Sequence, residues 1–312
     1  MRREFSLIEV GPRDGLQNES VLMGTAQKVD LVARMLDAGV KRIEVASFVH
    51  PKRVPQMADA EAVIAGLPDR SDVSYIGLCL NKRGVMRAIE TRSGGKRGVD
   101  ETGSVLVMTD TFGKKNQGQT VSEGIVENGE MIRLARSEGL KPQITLSAAF
   151  GCPFEGEVDP ARVVEAAKRV AEFEPDEIAL ADTIGVAVPA QVSDLVGRIS
   201  DAVPNIPLRV HFHNTRNTGL ANVWAAVEVG VTRIDASVAG MGGCPFAPAA
   251  TGNVPTEDVL YMLHRAGWHS GIDLAQVSDT ALWLTERMGR QLPGMVSRAG
   301  GFPASEQLQE TA

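Results

Sequence analysis

The feature that most limits the possible folds of this chain is a regular alternation of short β-branched runs with longer segments of helical periodicity. Helical patterns such as residues 26–39, 159–173 and 220–230 separate the runs. Strands that alternate with helices predict βα units and a parallel sheet. The runs that predict strands are residues 5–10, 40–47, 72–80, 104–110, 142–150, 177–183, 208–214 and 232–240.

Eight βα units over roughly 260 residues give about 30–33 residues for each unit, which is the size expected for a (β/α)8 TIM barrel. An open, doubly wound sheet is the alternative, but it usually has fewer strands at this length. We therefore predict the α/β class, with one barrel domain over residues 1–290. Prolines and glycines in residues 291–312 predict a short, loose C-terminal extension.

Composition limits the partners of the chain. The net charge of -7 disfavours nucleic-acid binding, which needs a basic surface. No apolar run approaches the ~20 residues that span a bilayer, and the start, "MRREFSLIEV", lacks the apolar core of a secretory signal. The three cysteines, Cys79, Cys152 and Cys244, form no C-x-x-C pair, so neither a disulfide framework nor a thiolate zinc site is expected. These observations favour a cytoplasmic location.

Polar residues recur at the predicted strand ends, where barrels of this class carry their functional groups. One buried polar residue is usually a satisfied core group, but several such strand ends together would cost several kcal/mol each without partners or a cation. The side chains are Arg13 and Asp14 after the first strand, Glu44 on the second, Asp182 ending the sixth, and His211 and His213 on the seventh.

The "VHFHNT" run suggests a metal site. Alternate residues of a strand face the same side, so His211 and His213 point together. An H-x-H pair alone is a weak signal, but Asp14 and an amide oxygen such as that of Asn253 would complete a sulfur-free set. That set suits Mg²⁺ or Mn²⁺, with four-coordinate Zn²⁺ as the alternative.

The loop "GMGGCPFAPAATGN" (240–253) is neither a dinucleotide fingerprint nor a P-loop. Its glycines predict a mobile flap that carries Cys244 toward the barrel mouth. The thiol could transfer a proton or pack as a small apolar group. A basic stretch at 82–98 could bind phosphate, but a solvated helix face is favoured.

Several stretches together resemble the 3-hydroxy-3-methylglutaryl-CoA (HMG-CoA) lyase family of metal-dependent barrels. The resemblance runs from about Phe5 to the helix after Asn253, and nearly covers the chain. The stretches are "VGPRDGLQNE", "IEVASFVHPKRVPQMAD", "FGCPFEGEV", "DTIGV", "HFHNT", "SVAGMGGCPFAPAATGN" and "TEDVLYML".

The resemblance implies roles for these residues. Arg13 would polarise the thioester carbonyl. Glu44 would be an orienting carboxylate beside Arg13 and the metal, and Cys244 would be the acid on the flap. Asp182 would lie near the substrate hydroxyl, where it or Asp14 is a candidate general base, and Glu257 would be a supporting carboxylate. The implied ligands of the cation are Asp14, His211, His213 and Asn253.

The implied reaction is retro-Claisen cleavage of a 3-hydroxyacyl-CoA, by default HMG-CoA, to acetyl-CoA and acetoacetate. The partner is then a small acyl-CoA, whose phosphates Lys114, Lys115 and Asn116 could meet, although surface lysines are more often only solvated. The resemblance also implies a homodimer.

The chain departs from the family pattern at "HNTRNTGLAN", where Asn214 and Arg216 stand, after the fourth strand at "VMTDTFGKKN", and in an apparent insertion at 92–98. These departures leave the acyl group open, so a lyase for a related 3-hydroxyacyl-CoA is an alternative. A metal-dependent aldolase or condensing enzyme is another, and a non-catalytic metal- and CoA-binding barrel is a third. A cysteine on a flap argues against a condensing enzyme, and the set of Arg13, Asp14, Glu44 and Cys244 argues against a barrel that only binds.

Overall fold

The computed structural model of the protein describes residues 3–243 and 252–303. Eight parallel strands close into one barrel, because the last strand, Arg233–Ala236, also pairs with the first, Ser6–Glu9, and the predicted (β/α)8 fold is confirmed. The strands are β1 (Ser6–Glu9), β2 (Arg42–Ser47), β3 (Ser74–Leu78), β4 (Glu101–Val107), β5 (Lys141–Ser147), β6 (Glu177–Asp182), β7 (Leu208–Phe212) and β8 (Arg233–Ala236).

Helices cover the outside of the barrel and bury their apolar faces against it. The helix that starts at Pro160 begins where the sequence predicts. The Asp159 side chain accepts from the Ala161 N–H at 2.9 Å and so caps this helix. The helices are α1 (Thr25–Asp37), α2 (Ala60–Ala65), α3 (Lys82–Glu90), α4 (Asp110–Asn116), α5 (Val121–Ser137), α6 (Pro160–Ala171), α7 (Pro189–Ala202), α8 (Gly219–Glu228), α9 (Thr256–Arg265), α10 (Leu274–Met288) and α11 (Val296–Ala299). No helix in these described ranges is long and apolar enough to cross a bilayer.

The fourth strand differs from its predicted bounds of 104–110. It begins at Glu101 and ends at Val107, three residues earlier at each end. The polar start of this strand is buried, because the Glu101 carboxylate accepts from Arg42 Nη2 at 2.7 Å and from Gln143 Nε2 at 2.9 Å. Polar residues inside a barrel lack the apolar pattern that predicts a strand. The predicted strand therefore starts three residues after the observed one.

The barrel interior is mixed in character. A small apolar cluster of Ile8, Val10 and Ile76 lies apart from the large core between the strands and the helices. Charged side chains share the interior, in contrast to the branched apolar layers that are common in such barrels.

The predicted C-terminal extension begins with a docked segment. The Gly294 N–H donates to the Ala239 carbonyl at 2.9 Å, and the Asp258 carboxylate accepts from the Val296 N–H at 2.7 Å. These contacts hold α11 against α9 and α10. Residues 304–312 lie outside the described ranges, and the domain limit at residue 290 remains a prediction.

Candidate active site

A single turn of π-helix, Gly11–Gly15, follows β1 and places Arg13 and Asp14 over the barrel. Its defining bond joins the Gly15 N–H to the Val10 carbonyl at 3.1 Å. Close packing requires glycine at position 11, since a Cβ there would lie 2.5 Å from Glu9 Oε1. Such π-turns are rare and occur frequently at functional sites.

Arg13 joins two carboxylates at the barrel mouth. Its Nη1 lies 2.6 Å from Asp14 Oδ1, and its Nη2 lies 2.7 Å from Glu44 Oε2. Burial alone would raise the pKa of Asp14, but the charge of Arg13 and the nearby histidines hold it well below its usual range. Burial raises the pKa of Glu44 despite its pairing with Arg13. The two carboxylates therefore differ in basicity.

Asp14, His211 and His213 form a group that can hold a metal ion, with ligand atoms within 4.8 Å of one another. The Nε2 atoms of both histidines lie 3.9 Å from Asp14 Oδ2, too far for hydrogen bonds. Three ligand atoms that face one another without bonding are suited to a shared cation. The predicted convergence of these side chains is thus present in the structure.

The protonation state of His213 fits a cation, whereas the pKa of His211 is raised, because the effect of burial is outweighed by that of Asp235. Burial and the neighbouring His211 lower the pKa of His213 to about 4, so His213 is neutral at physiological pH. His211 is oriented differently, because its Nδ1 lies 3.1 Å from Asp235 Oδ2. A carboxylate on the outer ring nitrogen is the usual support of a metal-binding histidine.

Asn253 reaches the same group by another route. Its backbone forms an isolated antiparallel bridge with His213, and its Nδ2 donates to Asp14 Oδ2 at 2.8 Å and to the Met241 carbonyl at 3.0 Å. The amide nitrogen, not the oxygen, therefore faces Asp14. Its role as a ligand stays a prediction.

A cavity of about 850 Å³ opens at the C-terminal ends of the strands. Arg13, Glu44 and the metal group line it, and Leu78, Val105 and Val107 are among its apolar lining residues. Of the three residues predicted to meet CoA, Lys115 and Asn116 line the cavity, whereas Lys114 does not.

Asp182, a predicted catalytic residue, is not part of this lining. Its neighbours Ala181 and Thr183 line the cavity, so Asp182 lies on the other face of the strand. Its carboxylate accepts from the N–H groups of Val186 at 2.9 Å and Ala187 at 3.0 Å. Those bonds fix the loop after β6, although burial raises the pKa of Asp182 overall. Cys244 lies outside the described residues.

Two of the three departures from the family pattern, at 214–218 and 92–98, lie outside the cavity lining, whereas the one after β4 contributes Phe112, Lys115 and Asn116 to it. Arg216 is exposed, and its Nη1 donates to the carbonyls of Ile184 at 3.1 Å and Gly185 at 2.8 Å. Asn214 Oδ1 accepts from the Gly219 N–H at 3.0 Å and so shapes the start of α8. In the 92–98 segment, Arg97 donates to carbonyls that precede β3, at the opposite end of the barrel.

Sequence reasoning missed several residues that line the cavity. Arg209 and Asp235 are buried charged residues within strands. Arg209 lies two residues before His211 on the same strand, so alternation alone would have placed both side chains on one face. Ser147, which no sequence signal marked, forms a hydroxyl pair at 2.9 Å with Thr183, a polar residue at the end of the predicted sixth strand, and both line the cavity.

Comparison with known proteins identifies the family of the chain. Residues 4–283 match the family described as HMGL-like. The chain belongs to the HMGL-like family. It is 39% identical over 305 residues to (R)-citramalyl-CoA lyase of Chloroflexus aurantiacus, covering 95% of this chain and 94% of that protein. It is also 39% identical over 293 residues to the cytoplasmic 3-hydroxy-3-methylglutaryl-CoA lyase of Danio rerio, covering 94% and 86%.

Solved structures of this family share the fold closely. Hydroxymethylglutaryl-CoA lyase from Pseudomonas aeruginosa superimposes with a TM-score of 0.91 at 34% identity, covering 100% of this chain and 99% of that one. An HMG-CoA lyase from Acinetobacter baumannii, in complex with coenzyme A and 3-methylmalate, gives a TM-score of 0.91 at 35% identity, with 97% of each chain covered. The predicted family is confirmed.

Proposed function

We propose that the protein is a divalent-metal-dependent carbon–carbon lyase that cleaves a 3-hydroxyacyl-CoA. The observation that carries this proposal is the metal group of Asp14, His211 and His213 beside the Arg13–Glu44 pair in one cavity. A mere binding protein has no need of an arginine held between two carboxylates of unequal basicity. Membership of a family whose relatives are acyl-CoA lyases supports the same reaction class.

The reaction divides into a proton transfer and a bond cleavage. The substrate hydroxyl loses its proton, its oxygen electrons form a carbonyl, and the C2–C3 bond electrons pass to the thioester as an enolate. The enolate then takes a proton at C2 and leaves as acetyl-CoA. Mg²⁺ or Mn²⁺ held by the metal group would supply positive charge that lowers the pKa of the hydroxyl.

Arg13 is suited to stabilise the enolate oxygen. A guanidinium has five N–H donors, and the ion pairs with Asp14 and Glu44 occupy two of its nitrogens without exhausting its hydrogens. Because both carboxylates fix its position in advance, little reorganisation is needed when charge develops.

Glu44 is the better proton acceptor of the two carboxylates. Burial raises the pKa of Glu44, whereas Arg13 and the histidines hold the pKa of Asp14 low. A base works best when its pKa lies nearer the working pH. Asp182 is less suited, because both of its oxygens accept backbone hydrogen bonds. We keep Cys244 as the proton donor to the enolate, on family resemblance alone.

Two substrates are supported by the relatives. HMG-CoA would give acetyl-CoA and acetoacetate, and citramalyl-CoA, one methylene shorter, would give acetyl-CoA and pyruvate. HMG-CoA is the default substrate because both solved relatives above are HMG-CoA lyases. Citramalyl-CoA is the second candidate because a lyase for it is equally similar to this chain.

The test is product release from each thioester by the purified, chelated protein after Mg²⁺ or Mn²⁺ is restored. We expect acetyl-CoA together with acetoacetate from HMG-CoA, and a lower kcat/KM for citramalyl-CoA with pyruvate as the second product. A reversed preference would assign the chain to the shorter substrate. Metal binding without release from either would contradict the lyase proposal.

A further inference from the structure

A chain of buried charges runs through the barrel and ends at His211. Glu177 Oε1 lies 3.2 Å from Arg209 Nε, and Arg209 Nη1 lies 3.4 Å from Asp235 Oδ1. Asp235 Oδ2 then lies 3.1 Å from His211 Nδ1. The side chains of Glu177, Arg209 and Asp235 are only 1%, 6% and 6% exposed, so solvent screens these contacts only weakly.

The far end of the chain is anchored by two further arginines. Glu177 Oε2 lies 3.0 Å from Arg42 Nη1 and 2.8 Å from Arg233 Nη1. Because these charges come from β2, β6, β7 and β8, the barrel itself fixes their spacing. Charges this deeply buried are costly unless they are paired, so each member constrains the position of the next.

Strand register supplies a second, independent alignment. His211 on β7 pairs with Asp235 on β8, and both side chains line the same cavity. With Asp235 as the acceptor, the His211 proton lies on Nδ1, and the lone pair of Nε2 faces Asp14. That is the tautomer in which Nε2 can bind a cation.

We propose that Asp235 and Arg209 are positioning residues of the metal site. Asp235 selects the tautomer and direction of the His211 ring, and Arg209 holds Asp235 in place. The inference rests on the proposed metal site, and it assigns a function to charges that the cleavage reaction does not itself use.

Substitution of Asp235 by asparagine gives a sharp test. Asp235 Oδ1 has no hydrogen-bond partner in the described ranges, and it lies 3.4 Å from Arg209 Nη1. Arg209 can only donate, so the oxygen of the new amide would turn to it and the amide NH₂ would face His211 Nδ1. The His211 proton would then move to Nε2, where it blocks metal binding.

The measurement is Mn²⁺ affinity by titration calorimetry, on the full chain after chelation, for wild type, Asp235→Asn, Arg209→Lys and the control Arg233→Gln. Removing a carboxylate that supports a metal-binding histidine typically costs about 10–100-fold in affinity. We expect that loss for Asp235→Asn, and a smaller loss for Arg209→Lys, whose ammonium lacks the arginine fork. Arg233→Gln touches Glu177 but not Asp235, so we expect wild-type affinity.

The outcomes separate this inference from the function on which it rests. A wild type that fails to bind Mn²⁺ would refute the proposed metal site. Wild-type binding with equal affinity in Asp235→Asn and Arg209→Lys would overturn the positioning role. An equal loss in Arg233→Gln would overturn it too, by assigning the effect to the whole ion network.

A metal-free spectrum gives the tautomer directly. Long-range ¹H–¹⁵N spectra of histidine-labelled protein, recorded above the raised pKa of His211 so that its ring is neutral, and with His211 identified by its absence in His211→Gln, should show protonated Nδ1 in wild type and protonated Nε2 in Asp235→Asn. A merely structural role would leave that pattern unchanged, which would overturn the inference even if Asp235→Asn bound Mn²⁺ weakly.

Discussion

Replacing Glu257 with glutamine should remove a large part of the pH dependence of stability. In α9, Glu257 Oε2 accepts from the Ala239 N–H at 3.0 Å, while Oε1 has no hydrogen-bond partner in the described parts of the chain. Burial raises the pKa of Glu257 from 4.5 to about 8, with smaller contributions from the charges of Asp258 and Glu9. The folded protein therefore favours the neutral carboxyl.

The direction in which stability changes with pH follows from this raised pKa. The stability that the neutral carboxyl contributes is fully present below about pH 4.5, the ordinary pKa, and is lost as the pH rises to about 8. One pKa unit corresponds to about 1.4 kcal/mol, so the loss reaches up to about 5 kcal/mol. Glu257→Gln cannot ionise and should be spared this loss.

Urea unfolding, followed by circular dichroism between about pH 5 and about pH 8, measures the effect for both proteins. Other titrating groups are shared, so the difference in the free energy of unfolding isolates Glu257. We expect the two proteins to be similar at the acidic end and the variant to be progressively more stable toward pH 8. A difference that does not change with pH would refute the assignment of a raised pKa to Glu257.

Three further substitutions test the site. Asp14→Asn should weaken Mn²⁺ binding and acetyl-CoA release together, and full activity in metal-limited buffer would refute its role as a ligand. Cys244→Ala should retain metal affinity and lower kcat by about 10²–10⁴-fold, the range for a proton-transfer group; a wild-type rate would return the thiol to a packing role. Arg216→Ala should leave acyl-chain preference unchanged, because Arg216 bonds loop carbonyls outside the cavity lining; an altered kcat/KM ratio between the two thioesters would contradict this placement.

Much of the metal group could be predicted from the sequence, because strand parity alone puts His211 and His213 on one face. Asp14 was predictable for a related reason, since it follows a strand and strand ends share one rim of a barrel. The contribution of Asp235 was not predictable in this way. Which residue of β8 lies opposite His211 depends on the stagger of neighbouring strands, and the sequence does not state that stagger.

The bounds of β4 show a second limit. Glu101 reads as a loop residue, yet it is buried against Arg42, a residue nearly sixty positions earlier. Asp182 shows a third, since resemblance suggested a catalytic role while parity alone would have turned it away from the cavity. The local sequence pattern therefore predicted the helices and strands and one face of the site. The long-range ion pairs could be identified only from the structure of the closed barrel.

The proposed cleavage depends on a cation held by Asp14, His211 and His213. The most direct measurement is acetyl-CoA release from HMG-CoA, and in parallel from citramalyl-CoA, as Mn²⁺ is titrated into the chelated protein while bound Mn²⁺ is counted by electron paramagnetic resonance. We predict that acetyl-CoA release from the better substrate rises in proportion to bound Mn²⁺, up to one ion per chain. We also predict that His213→Gln abolishes both Mn²⁺ binding and acetyl-CoA release. Release that persists at full rate in the chelated protein would contradict the claim.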